Sequence, residues 1–150
     1  MPQSLSSIFV HLIFATKNRE PFITTEIEPE LHAYLAAVCR ECDSPALLVG
    51  GTANHVHVLC ALSRKVAVAD LVEEVKKRSS KWIKTKGAGL RQFQWQTGYG
   101  AFSIGRSNVD ALKSYIAGQK EHHRRRTFEE EYRALLDRYG VEYYEKFVWD

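Results

Sequence analysis

The chain has 150 residues, of which 45% are hydrophobic and 26% charged; this excludes a disordered tail or linker and allows a core that needs no disulfide or zinc staple. Its formal net charge is only +3, which excludes a uniformly polycationic protein but hides an uneven layout. Residues 1–63 hold 3 basic and 6 acidic side chains, residues 64–91 hold 9 and 3, and residues 92–150 hold 9 and 9, so a basic block suited to a polyanion sits mid-chain.

Ser6–Ala15 is apolar and rich in β-branched residues, which predicts a buried strand. No basic segment precedes this run, so no secretory leader is expected. Thr24 or Thr25 can cap a helix running to Glu41, with Leu31, Leu35, Val38 and Cys39 on one face. Cys39 and Cys42 form a C-x-x-C pair without a second pair; with Cys60 they make an odd count, which points to buried thiols in a reducing cytoplasm. Ala46–Gly50 and His55–Leu62 read as strands joined by a Gly-rich turn, Gly51–Asn54. The uncharged run Ser44–Ser63 holds Pro45, two glycines, an asparagine and two histidines, so it is no membrane span.

Val68–Thr85 has helical periodicity through Val68, Leu71, Val72, Val75, Ser79, Trp82 and Ile83. Lys86–Gln96 reads as a loop and Tyr99–Gly105 as a fourth strand. Ser107 with Asp110 resembles a capping box for a helix over Asn108–His122, and Thr127 with Glu130 starts another that ends near Gly140. The aromatic tail Val141–Asp150 is expected to be extended. The order β-α-β-β-α-β plus two helices predicts one α+β domain over 1–150. Its fold is ferredoxin-like (RRM-like), with both core helices on one face of an antiparallel sheet and the other face free.

In Asn54-His55-Val56-His57-Val58-Leu59-Cys60 the side chains alternate, so His55 and His57 share one strand face and the valines the other. Two imidazoles at that spacing can reach one divalent cation, or they can be plain surface histidines. Tyr115 and Gln119 are four apart and hence neighbours on one helix face. Alone, each also reads as an ordinary packing or surface residue.

The combination resembles a known family. His55-Val56-His57 in a strand, Gly98-Tyr99-Gly100 downstream, and Tyr115-Ile116-x-x-Gln119 on a late helix are similar to the single-tyrosine HUH (His-hydrophobe-His) transposases of the smallest bacterial insertion sequences. The resemblance implies that His55, His57 and Gln119 hold a divalent metal, Mg²⁺ or Mn²⁺, and that Tyr115 is the nucleophile. The implied reaction cleaves and rejoins single-stranded DNA at hairpin-bearing element ends through a 5′-phosphotyrosine, without ATP. A homodimer is implied too, with sites that can be shared in trans. By ligand softness alone Mn²⁺, Co²⁺ or Zn²⁺ would precede Mg²⁺.

Tyr115 needs help to lose its proton, since phenol titrates near 10. No base is evident, although His122 lies two turns along from Tyr115. The second helix carries Lys76, Lys77, Arg78, Lys81 and Lys84 opposite its apolar stripe; these, with Arg124, Arg125 and Arg126, are candidate phosphate contacts or a solvated face. Phe93 and Trp95 can stack on unpaired bases or anchor their loop. Three other readings stay open: a domesticated repeat-associated single-strand endonuclease with the same chemistry, a non-catalytic nucleic-acid-binding module that would not need Tyr115, and a metal enzyme that would not need the lysines.

Overall fold

A computed structural model describes residues 2–150 of the chain. Four strands form one antiparallel sheet: β1 (Phe9–Ala15), β2 (Ala46–Thr52), β3 (His55–Ala61) and β4 (Gly100–Ile104). Their spatial order is β2-β3-β1-β4. Helices α1 (Glu28–Glu41) and α2 (Val68–Ile83) follow β1 and β3 respectively, which gives the expected α+β, ferredoxin-like arrangement.

Strand alternation divides the sheet into two chemically different faces. Val10, Leu12, Phe14, Val56, Val58 and Cys60 meet Leu31, Leu35, Val38 and Cys39 of α1 and Leu71, Val72, Val75 and Ile83 of α2 in one buried cluster. The stripes that the sequence predicts for both helices are thus the ones that pack. Phe93 and Trp95 belong to the same cluster, so they anchor their loop.

The opposite face is not free, contrary to expectation. Ile13, Ala15 and Phe102 are covered by Phe128, Tyr132, Leu135 and Leu136 of α5 (Phe128–Arg138), and Leu59 by Val109 and Ile116 of α3 (Val109–Ala117). The chain beyond the fourth strand carries enough apolar surface to roof the sheet. Two glycines permit the roof. A Cβ on Gly50 would lie 2.7 Å from Ile116 Cγ2 and 2.8 Å from the Ile116 carbonyl oxygen, and one on Gly100 would lie 2.8 Å from Tyr132 Cε1.

Several boundaries differ from the sequence reading. The hairpin strands run on through Thr52, leaving a two-residue turn at Ala53 and Asn54. The late helix is broken at Gly118 into α3 and the short α4 (Gln119–His122). The Gly118 N–H donates to both Ser114 O (3.1 Å) and Tyr115 O (3.3 Å), tightening the last turn as helix ends do. Ser107 does not cap α3, which continues from a 3-10 turn over Arg106–Asn108. Thr127 and Glu130 do form a reciprocal capping box at α5. The tail is turned rather than extended: Val148 N–H donates to Tyr144 O, and Asp150 O accepts from Gly98 N–H at 2.7 Å. No helix among the described residues is long and apolar enough to cross a membrane.

Candidate active site

The antiparallel register opposes His55 to Ala15 and His57 to Ile13 in β1, and His57 to Gly50 in β2. Both imidazoles therefore leave the sheet on the face roofed by α3, α4 and α5, and both are fully buried. Gly50 allows α3 to pack down on β2, which brings the Tyr115 ring to 5.9 Å from the His57 ring of the same chain. Gln119, at the start of α4, is buried with its Oε1 2.9 Å from His55 Nε2. The four residues that the resemblance singles out thus converge.

They converge on a carboxylate that the sequence reading did not identify. Glu131 of α5 is 0% exposed. Its Oε1 accepts from His57 Nε2 (3.2 Å) and His123 Nε2 (2.9 Å) and lies 3.5 Å from His55 Nε2. Its Oε2 accepts from the Gln119 amide at 2.9 Å and from the Tyr115 hydroxyl. Burial opposes ionisation of Glu131, but hydrogen bonds from His123 and His57, with a further one from Tyr115, outweigh it and hold the carboxyl below its usual range.

The histidines carry their own supports. His57 Nδ1 is 2.7 Å from His11 Nε2, and the two rings stack with centroids 5.0 Å apart. His55 Nδ1 faces Asn54 Oδ1 at 2.8 Å and Thr52 Oγ1 at 3.0 Å. The Asn54 acceptor at His55 Nδ1 favours the tautomer that leaves His55 Nε2 free for a metal, the usual arrangement behind histidine ligands. Burial, then the neighbouring His57, lowers the pKa of both His55 and His11 to about 3. Both are therefore neutral at physiological pH, as ligation by His55 requires.

His55, His57 and Glu131 each offer a ligand atom within 4.8 Å of the others, and Gln119 Oε1 is adjacent. Two imidazole nitrogens with carboxylate and amide oxygens suit a divalent cation of intermediate hardness. Tyr115 is held protonated: burial raises its pKa first, and its hydrogen bond to Glu131 raises it further, against the opposing pull of Arg126 and Gln119. His122 packs edge-on against the Tyr115 ring at 4.9 Å. Two polar atoms near this tyrosine are buried without a partner, His122 Nε2 and Arg126 Nε.

Other expected residues lie elsewhere. The basic side chains of α2 belong to the layer on the far side of the sheet from Tyr115. Lys76 Nζ donates to the carbonyls of Gln96 (2.7 Å), Thr97 (3.1 Å) and Gly98 (2.6 Å), and burial lowers its pKa to about 8. Arg78 pairs with Glu41, Lys77 with Glu74 and Arg124 with Glu121. Lys81, Lys84 and Arg125 are exposed. Cys39, Cys42 and Cys60 are free thiols.

The sequence did contain signals for what was missed. Glu131 shares the apolar stripe of α5 with Phe128, Tyr132 and Leu135, and a carboxylate on a buried stripe is rare without a specific partner. His11 follows from strand parity once β1 is paired with β3.

A sequence model of the family described as Transposase IS200 like matches residues 4–119. Among solved structures, the chain is similar to a candidate transposase from Deinococcus radiodurans R1, with 20% identity, 79% of this chain and 98% of that one covered, and a TM-score of 0.65. It is also similar to a REP-associated tyrosine transposase bound to a REP hairpin, with 16% identity, 82% of this chain and 72% of that one covered, and a TM-score of 0.61. No curated protein matches it in sequence. The family match ends at Gln119, so α5 with Glu131 lies beyond it.

Proposed function

The chain belongs to the IS200-like transposase family, and from that premise we propose that it cleaves and rejoins single-stranded DNA through a covalent bond to Tyr115. The observation that carries this reading is the meeting of Tyr115, His55, His57 and Gln119 at the Glu131 carboxylate inside one chain.

His55, His57 and Glu131 would hold a divalent cation, Mg²⁺ or Mn²⁺, with Gln119 Oε1 beside it. When bound, such an ion supplies Lewis-acid stabilisation of charge on a phosphate oxygen. The remaining chemistry belongs to the side chains. Tyr115 Oη forms a bond to the scissile phosphorus while the bond from phosphorus to the 3′ oxygen breaks, leaving a 5′-phosphotyrosine and a 3′-hydroxyl. Glu131 Oε2 already accepts the hydrogen bond of the hydroxyl that must lose its proton. His11 and Asn54 fix the orientation of the two imidazoles. A later 3′-hydroxyl attacks the phosphotyrosine and releases Tyr115. One phosphodiester replaces another, so no nucleotide triphosphate is consumed.

Hairpin-bearing DNA is the proposed substrate; the REP-bound relative supports it through its shared fold. An active element and a domesticated repeat-processing nuclease would share this site. The proposed assembly is a homodimer whose copies each carry a complete site, because Tyr115 stands over the histidines of its own chain. The test is incubation with labelled hairpin-bearing single-stranded DNA and Mn²⁺, followed by denaturing electrophoresis. A denaturant-resistant adduct that disappears in Tyr115→Phe supports the reading. Absence of an adduct on the DNA flanking the chain's own gene would refute it.

A further inference from the structure

We propose that the cleft between α3, α5 and the edge strand β4 seats an unpaired nucleotide beside the phosphate that Tyr115 attacks. The inference rests on the tyrosine reading above and adds a binding site to it. The cleft has a volume of about 710 Å³, within the ~300–1,000 Å³ of small-molecule sites. Tyr115 forms part of its wall, and Arg126 and Arg138 contribute two guanidiniums. No Asp or Glu lines it, the Glu131 carboxylate lying behind Tyr115, so the charged groups that face a ligand here are the two guanidiniums, which suit an anion.

Arg126 gives the anion a defined place. Its Nε is buried without a hydrogen-bond partner, a costly condition for a donor that a phosphate oxygen would relieve. The rest of the wall fits a base. Tyr139 is 40% exposed and stacks on Phe102 with centroids 4.8 Å apart; it also borders the cleft, as do Leu112 and the Asn108 amide. Flat aromatic and aliphatic surface beside an amide suits a nucleobase, which inorganic phosphate alone would not use. The second large cleft is less suited. Its Lys76 is already committed to three backbone carbonyls, and Asp150 lines it. Arg126, Arg138 and Tyr139 all follow residue 119, so they belong to the part of the chain outside the family match.

The test uses a short oligothymidylate carrying one 2-aminopurine, bound to the full chain in a Tyr115→Phe background that cannot cleave it. Binding should change the 2-aminopurine fluorescence. Arg138→Ala should weaken binding about tenfold and reduce the slope of log affinity against log salt by about 0.7, the value for one phosphate contact on a single strand. Tyr139→Leu should weaken binding about as much and remove the fluorescence change without altering the salt slope, whereas Tyr139→Trp should retain both. Thermal melting checks that each variant is folded; Arg138 is exposed, so its loss should leave the melt unchanged. Wild-type affinity, salt slope and fluorescence in folded Arg138→Ala and Tyr139→Leu would overturn the proposal. The adduct assay separates the two readings. An adduct with variant-insensitive fluorescence overturns the cleft alone, while Arg138-dependent binding without any adduct supports the nucleotide site and refutes the tyrosine chemistry.

Discussion

Glu131→Gln keeps the side-chain volume and removes the charge at the centre of the site. Four side chains donate to this carboxylate: His57, His123, Gln119 and Tyr115. A glutamine offers one oxygen and one amide NH₂ in its place, so about half of those donors would face another donor. Each mismatch costs about 1–3 kcal/mol, offset in part because no carboxylate is then buried. The metal-free melting temperature sums these opposing effects and discriminates poorly. The shift caused by added Mn²⁺ cancels them. A ligand present at a hundred times its Kd stabilises by about 2.7 kcal/mol, and in a chain of this length each kcal/mol moves Tm by about 2–4 °C. Wild type should therefore rise by about 5–11 °C. Loss of the anionic ligand with about a hundredfold drop in affinity leaves about 0.4 kcal/mol at the same Mn²⁺ concentration, a rise of about 1–2 °C. Thermal melting with Mn²⁺ against chelator measures both. An equal rise in wild type and Glu131→Gln would show that Glu131 only satisfies buried donors, and no rise in wild type would remove the metal site.

Gly50→Ala would push a methyl group against the Ile116 carbonyl, which cannot swing aside, so α3 must shift at a cost of about 1–3 kcal/mol. Adduct yield should then fall more than folded fraction at assay temperature, as read by electrophoresis and thermal melting. Mixing Tyr115→Phe with His57→Ala protein should restore no cleavage, because the tyrosine sits over its own chain's histidine; recovered adduct would demonstrate sites shared in trans. His11 and His55 have folded pKa values near 3 against an ordinary 6.5, so the unfolded chain binds more protons between those values. Their contribution to stability is complete above about pH 6.5 and is lost as pH falls towards 3, and the lowered pKa of Glu131 acts in the same direction below its ordinary range. Urea midpoints should therefore be lower at about pH 5 than at about pH 7.5; a higher midpoint in acid would contradict burial of neutral imidazoles.

The sheet was legible because strand alternation and helical periodicity act over short windows. Val56 and Val58 against His55 and His57, and the stripes of α1 and α2, are local patterns that tertiary packing left intact. The roof was not legible from the same rules. The covering of the histidine face depends on where α5 docks, and that docking rests on Gly100 and on apolar residues distant in sequence. Glu131 was not legible for the same reason: its partners come from β3, α3, α4 and His123 just after α4, and no spacing within α5 specifies them. Lys76 shows the converse. On the helix surface it is one of five cations, yet its ammonium group is turned back onto the loop at 96–98.

Tyr115 Oη is the atom proposed to become the 5′-phosphate ester. Proteolysis of the protein–DNA adduct followed by mass spectrometry of the DNA-bearing peptide tests it most directly. The expected result is a single modified peptide containing Tyr115, formed by wild type with Mn²⁺ and absent from His57→Ala. A linkage mapped to another tyrosine such as Tyr99 or Tyr139, or an adduct formed equally by His57→Ala, would contradict it.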